Sequence, residues 1–203
     1  MFYIILPIIL LSLSSCGGGS AENSATATSI PSCASLLRVP AVSNVGAIVV
    51  ANNALTQTEK AEFLGQINAI RQRGNCNCPA SGAVTISTHN AAGTLNWNST
   101  LEIMASNHSE DMMINNFFSH TGSNGSTLAQ RASAAGYAFS SLAENIAAGQ
   151  STVTDVINSW LSSGDHCRNI MASSMTELGA GMTRTNGTAI YPTYWTMVTG
   201  APL

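Results

Sequence analysis

Few side chains in this sequence suit chemistry: five cysteines, four histidines and a sparse set of carboxylates. Leaving Cys16 aside, Cys33, Cys76, Cys78 and Cys167 make an even set, which in an exported chain predicts two disulfides among three possible connectivities. Cys76-Asn77-Cys78 is too short a ring to close on itself, because bridge geometry is specific. Each of the two therefore needs a distant partner, with Cys167 joining Cys76 or Cys78 and Cys33 taking the other. The rival uses are a thiol nucleophile at Cys167 beside His166, or a zinc site built on Cys76 and Cys78. Both require reduced sulfur, which an oxidising compartment disfavours. His108 falls three residues before Asp111 on the apolar face of a predicted helix and reads as a core or cleft-wall histidine held by a hydrogen bond. His89, in a Ser/Thr/Asn-rich stretch, reads as a loop residue. Arg71 and Arg131 have so few acidic neighbours in sequence that each is expected to form one internal ion pair or to bind backbone carbonyls.

Cys16 has a different chemistry in view. The run from Tyr3 to Leu13 is apolar except at Pro7 and Ser12. It is too short for a membrane-spanning helix, which takes about 20 residues, and suits a secretory h-region. Leu13-Ser14-Ser15-Cys16 follows, and it resembles the bacterial lipobox, in which small residues admit a peptidase and the thiol takes a diacylglyceryl group. No Lys or Arg precedes the run, a departure from the usual n-region. The expected organisation is a lipoprotein signal peptide over 1–15, a lipidated Cys16 with a Gly/Ser/Ala/Thr tether over 16–35, an apolar extension over 36–55, and a folded domain over 56–203. Gly17, where Asp would favour inner-membrane retention, points to the outer membrane or the cell surface.

Composition narrows the partners. Seven Lys and Arg stand against ten Asp and Glu, a net charge of -3, and charged residues are 8% of the chain, against about 25% in ordinary soluble domains. No basic footprint exists for a nucleic-acid backbone or an acidic membrane surface. Hydrophobic residues at 45% argue against a disordered chain.

The elements that must position these residues can be read from caps and periodicity. Thr56 to Glu59 is a capping box ahead of apolar Phe63, Leu64, Ile67 and Ile70, with Gly74 as the stop after Arg73. Ser99 to Glu102 opens a second helix, with Leu101, Met104, Ala105, His108 and Met112 on one face. Ser126 opens a short third helix ending at Gly136, and Thr152 to Asp155 opens a fourth ending near Gly164. Leu178 to Arg184 and Tyr194 to Thr199 read as strands across a Thr185-Asn186-Gly187 turn, and Ala83 to Thr88 as a strand or an irregular loop. Trp160, Phe117 and Phe118 are expected in the core, and Met112, Met113, Met171 and Met175 as gap-fillers or a groove lining.

In this order the motifs resemble a bacterial CAP domain, also called the SCP or sperm-coating-protein-like domain of the cysteine-rich secretory and pathogenesis-related proteins. The segments are Asn68-Ala-Ile-Arg71, Leu95-Asn-Trp-Asn98, His108-Ser-Glu-Asp-Met112 and Asn116-Phe-Phe-Ser-His120. Arg131 with Ala135-Gly-Tyr137, Ala143-Glu-Asn-Ile146, Trp160 through His166-Cys167-Arg-Asn-Ile170, Thr176 to Gly181 and Tyr194-Trp195 follow. The resemblance implies an α+β fold, a three-layer α-β-α sandwich around a small antiparallel sheet. It also implies a cleft holding His120, Glu144 and His166, which in some relatives takes a divalent metal such as zinc. Eukaryotic members carry a further acid after the position of Trp160, where this chain has Ser163 and Gly164; Glu177 or Asp165 is the substitute on offer.

Two neutral imidazoles and a carboxylate suit zinc with an open position for water. The first expectation is a monomeric, lipid-anchored envelope module binding a lipid, glycan, peptide or protein partner. The second is a metal-dependent hydrolase of peptide or ester bonds using His120, Glu144 and His166, and the third a structural envelope protein with a vestigial cleft.

Overall fold

A computed structural model describes residues 29–37, 54–185, 187 and 189–203. The signal-like run, Cys16, most of the tether, the apolar stretch 38–53 and Asn186 lie outside the described residues. A 3-10 turn (Cys33–Leu36) leads into helix α1 (Gln57–Arg73), then the short strands β1 (Cys76–Cys78), β2 (Ser87–His89) and β3 (Asn96–Trp97). Helices α2 (Ser99–Ile114) and α3 (Leu128–Ala134) precede strand β4 (Phe139–Ala148). Helices α4 (Val153–Leu161) and α5 (Gly164–Met171) and strands β5 (Glu177–Arg184) and β6 (Thr193–Pro202) complete the chain.

The α1 capping box forms as read: Thr56 N–H donates to Glu59 Oε2 at 2.8 Å and Glu59 N–H to Thr56 Oγ1 at 3.2 Å. Gly74 ends the helix with φ +48°, and a Cβ there would sit 2.0 Å from the Ala91 backbone nitrogen. Helix α2 is capped one residue earlier than a Ser99 box would have it. Asn98 Oδ1 accepts from Thr100 and Leu101 N–H, which frees Glu102 to accept from Trp97 Nε1 at 2.7 Å and to pair with Lys60. Thr127, not Ser126, caps α3, in a box with Gln130.

Strand alternation sorts the core into layers. The main sheet runs β3-β5-β6-β4, with β4, β5 and β6 antiparallel and β3 parallel to β5. Leu178, Ala180 and Met182 of β5 and Trp195 and Met197 of β6 pack with Phe63, Ile67, Ile157, Trp160 and Ile170 of α1, α4 and α5. The residues between them face α2: Cβ atoms at Gly179 and Gly181 would lie 2.1 Å from Glu102 N and 2.3 Å from Ser106 N. Val198 joins Leu101, Met104, Ala105 and Ala132 on that face. The result is the three-layer α-β-α sandwich. A second, two-stranded antiparallel sheet pairs β1 with β2.

Both disulfides lie in the layer holding α1, α4 and α5: Cys33–Cys76 and Cys78–Cys167, all four residues fully buried. One ties the 3-10 turn to β1, the other β1 to α5. The segment 30–35, read as the end of a tether, is held on the domain, with Ile30 and Pro31 carbonyls accepting from Asn77.

Three further expectations need correction, and one strand was not anticipated. Gly164 does not stop a helix but begins α5; a Cβ there would lie 2.4 Å from the Pro79 carbonyl oxygen, so its bareness serves close packing. Strand β4 went unread because its Ser, Ala and Asn content gives little strand propensity; pairing with β6 makes it one. His89 is a strand residue opposite Cys76, its Nε2 3.0 Å from Ser87 Oγ. Phe118 is 48% exposed, while Trp160 is buried as expected. No helix among the described residues is long and apolar enough to cross a membrane.

Candidate functional site

Strand β4 is a sheet edge, and alternation points Glu144 and Asn145 to opposite faces. Glu144 meets α2, α3 and the loop between them. Its Oε1 accepts from His120 Nδ1 at 2.9 Å and its Oε2 from Arg131 Nη2 at 2.6 Å, with His108 Nε2 at 3.9 Å from Oε1. The carboxylate side chain is 3% exposed. Burial alone would raise its pKa, but the His120 hydrogen bond and the Arg131 charge outweigh that and hold it below the usual carboxylate range.

The loop is braced so that His120 reaches Glu144. Asp111 on α2 accepts from Ser123 N–H at 2.9 Å and Asn115 Nδ2 at 2.8 Å. Arg131 Nη1 donates to the carbonyls of His120 and Ser126, both at 3.0 Å. Arg131 thus holds Glu144 and the backbone of the residue that Glu144 orients. His108 is buried, with Nε2 3.0 Å from the Ser119 carbonyl. That acceptor assigns the proton to Nε2 and leaves Nδ1 buried without a protein partner. Burial depresses its pKa, so it is neutral at pH 7. It is a buried histidine held by a hydrogen bond, the core alternative of the two that its helix position offered.

Asn145 faces α5. Its Nδ2 donates to the His166 carbonyl at 3.0 Å, and Asn169 Nδ2 donates to Asn145 Oδ1 at 2.8 Å. This ladder fixes α5, and with it His166, against the sheet edge. Burial, with His120 nearby, pushes His166 below the ordinary histidine value.

His120 and His166 line one cleft of about 570 Å³, together with the rings of Phe118 and Tyr191 and the polar side chains of Gln150 and Ser163. A second hollow of about 350 Å³ lies on the Glu144 side of His120, walled by Thr121, Thr127, Leu142 and Asn169. His120 borders both. Its side chain is 56% exposed, and Nδ1 is the ring nitrogen in contact with Glu144, which leaves Nε2 outside that contact.

His120 and Glu144 are therefore in direct contact, and His166 joins His120 across the cleft. The three do not form a tight ligand set. Among the described residues, the group of three ligating side chains with donor atoms within 4.8 Å of one another is Cys33, Cys78 and Cys167, whose sulfurs are in disulfides. Both oxygens of Glu144 are committed, one to a guanidinium, so it fits the role of a carboxylate behind a metal-binding histidine and not that of a ligand. The donors that fit a divalent ion are the two imidazoles. Asp165 is turned to Ser81 and Arg168. Glu177 accepts from Tyr137 Oη at 2.6 Å and Asn98 Nδ2 at 3.1 Å. Neither substitute acid lines the cleft. Tyr191, Gln150 and Asn169 were not anticipated from sequence, and no local pattern marks them.

The CAP profile, described as the cysteine-rich secretory protein family, matches residues 64–199. An uncharacterized membrane protein of Bacillus subtilis, YlbC, is 33% identical over 90 residues, 44% of this chain and 26% of that protein. This chain thus spans about a quarter of that relative's length. An extracellular SCP-domain protein of Bacillus anthracis superposes with TM-score 0.55 at 26% identity, covering 72% of this chain and 44% of the other. An outer surface protein of Borrelia burgdorferi has TM-score 0.59 at 19% identity, covering 72% and 95%. The Borrelia likeness is one of fold alone.

Proposed function

The chain belongs to the cysteine-rich secretory protein (CAP) family, and within it we propose that this member is an exported binding module whose ligand sits over His120. The observation that carries this reading is the state of Glu144. A hydrolase of the kind the sequence suggested needs a carboxylate free to take a proton from water or to bind a metal. Here Glu144 is buried and locked between Arg131 and His120, which suits holding an imidazole still. The open cleft beyond it offers hydrogen-bonding groups beside exposed rings, the usual make-up of a ligand pocket.

A divalent ion such as zinc would be held by His120 and His166 and would there polarise a ligand oxygen. Such an ion would strengthen ligand binding; among the described residues no free carboxylate lines the cleft to act as a base. Export and lipid attachment at Cys16, with a place in the outer membrane or at the cell surface, belong to the same reading. They rest on the lipobox-like Leu13-Ser14-Ser15-Cys16 and on the extracellular relative from Bacillus anthracis.

Native mass spectrometry of the protein purified from envelope extracts tests the reading. A retained mass that is lost in His120→Ala is the expected result. A clean apo mass, with no thermal shift from lipid, glycan or peptide panels, defeats it. Zinc titration of the purified protein should show micromolar or weaker binding that both His120→Ala and His166→Ala abolish. Zinc-dependent ester or peptide cleavage lost in Glu144→Gln would instead establish the hydrolase.

A further inference from the structure

Resting on the reading of the cleft as a ligand site, we propose that its ligand is an uncharged glycan chain laid across His120, with sugar units in the hollows on either side. The two hollows, about 570 and 350 Å³, share His120 as a common wall, so an elongated ligand passing over the imidazole fills both. Among the described side chains bordering them, Glu144 alone carries a fixed charge, and Arg131 pairs with it. That lining presents no unpaired fixed charge to select an ionic ligand.

What the walls do offer matches a sugar. Phe118 and Tyr191 stand 48% and 39% exposed, rings edge to face with centroids 6.3 Å apart. They form an apolar shelf against which the C–H face of a pyranose ring packs, a favourable use of a rigid aromatic surface. Around the shelf are neutral groups that both donate and accept. Ser163 caps α5 by position, yet its hydroxyl makes no capping bond and is free for a ligand. Gln150 Oε1 is buried with no hydrogen-bond partner. Gln150 lines the same hollow, and its Nε2 lies 3.4 Å from Ser159 Oγ, so the two present a neutral polar edge there. Thr121 and Thr127 continue the hydroxyl lining past His120.

The same geometry disfavours the rivals. An acyl chain in the larger hollow would strip water from Gln150, Ser159 and Ser163 and return no hydrogen bonds. An extended peptide could dock on edge strand β4 by strand addition. That route is obstructed, because the Glu144 carbonyl already accepts from Asn169 Nδ2 at 3.3 Å and the Ile146 carbonyl from Trp160 Nε1 at 3.0 Å. Binding through side chains, to a hydroxyl-rich ligand, is what the edge leaves available.

Titration calorimetry of the purified chain with cellotetraose, maltotetraose and N-acetylchitotetraose, each beside its monosaccharide, tests this. At least one tetrasaccharide should bind about ten-fold or more tightly than its monosaccharide, since one unit fills one hollow. Phe118→Ala and Ser163→Ala should each weaken it about five-fold or more with the melting temperature unchanged. Equal affinity for mono- and tetrasaccharide, or indifference to Phe118→Ala, overturns the proposal. No glycan binding while a lipid or peptide is retained in the native mass spectrum overturns the glycan and leaves the cleft reading standing. No ligand of any kind overturns both.

Discussion

Replacing Arg131 by Met removes the cation from a carboxylate that has almost no access to water. Glu144 is 3% exposed and Arg131 12%, with Nη2 2.6 Å from Oε2. Breaking a buried pair from one side costs about 3–5 kcal/mol, because the remaining charge is stranded. Methionine keeps much of the aliphatic volume, so packing against α2 and β4 changes little. In a domain of this size the loss corresponds to a fall in melting temperature of roughly 6–20 °C. The pH dependence carries the mechanism. In the native protein Glu144 titrates below its unfolded value, so its stabilisation is present above the ordinary carboxylate pKa and is lost as pH falls through the depressed one. In Arg131→Met, burial outweighs the remaining partner, His120, and the Glu144 pKa rises. The stability gap between variant and native protein should therefore be widest near neutral pH and shrink in acid, where Glu144 is protonated in both. Urea unfolding followed by tryptophan fluorescence at several pH values reads this out. Adding Glu144→Gln should recover about half of the loss, since no stranded charge remains. A variant as stable as the native protein, a gap independent of pH, or no recovery in the double variant would refute the reasoning.

Four other perturbations test the frame around the site. Gly179→Ala puts a Cβ 2.1 Å from the Glu102 backbone nitrogen, and the helix cannot yield as a side chain would, so roughly 3 kcal/mol or more of stability should vanish; a fully stable variant, read by chemical denaturation, contradicts the close α2–β5 packing. Arg71→Met withdraws donors from the buried carbonyls of Ile170 and Met175; about 2–6 kcal/mol should be lost, and a thermal melt within a degree of the native protein counts against it. The paired substitution Cys78→Ser, Cys167→Ser opens a sequence separation of 89 residues and should lower unfolding free energy by about 4 kcal/mol. Cys33 Sγ is 3.8 Å from Cys78 Sγ, so partial reduction and alkylation should also trap some Cys33–Cys78 bridge; peptide mapping that finds the native pairs alone argues against exchange.

The helices were legible where a local device announced them. The Thr56 and Thr152 caps and the 3.6-residue stripes in α1, α2 and α4 are written in neighbouring residues, and so was the burial of His108. The pairing rule for the cysteines was equally local, because a ring through Cys76-Asn77-Cys78 is too tight to close. Strand β4 was not legible, since its residues become a strand only by pairing with β6, far along the chain, as Ala148 pairs with Tyr194 and Phe139 with Pro202.

The sequence by itself therefore determined helices α1 to α4, the family's fold and the candidacy of His120, Glu144 and His166, while α5 was read only as the stop of α4. It could not say how those three side chains are used. That depends on strand alternation, which sends Glu144 to the face bearing His108 and Arg131 and Asn145 to the face bearing His166. It depends also on β4 lying at the edge of the sheet, where the loop carrying His120 can reach Glu144. Hydrogen bonds and charge pairs act over a few ångströms, so the commitment of Glu144 to Arg131, and to one ring nitrogen of His120, exists only once distant segments are packed together.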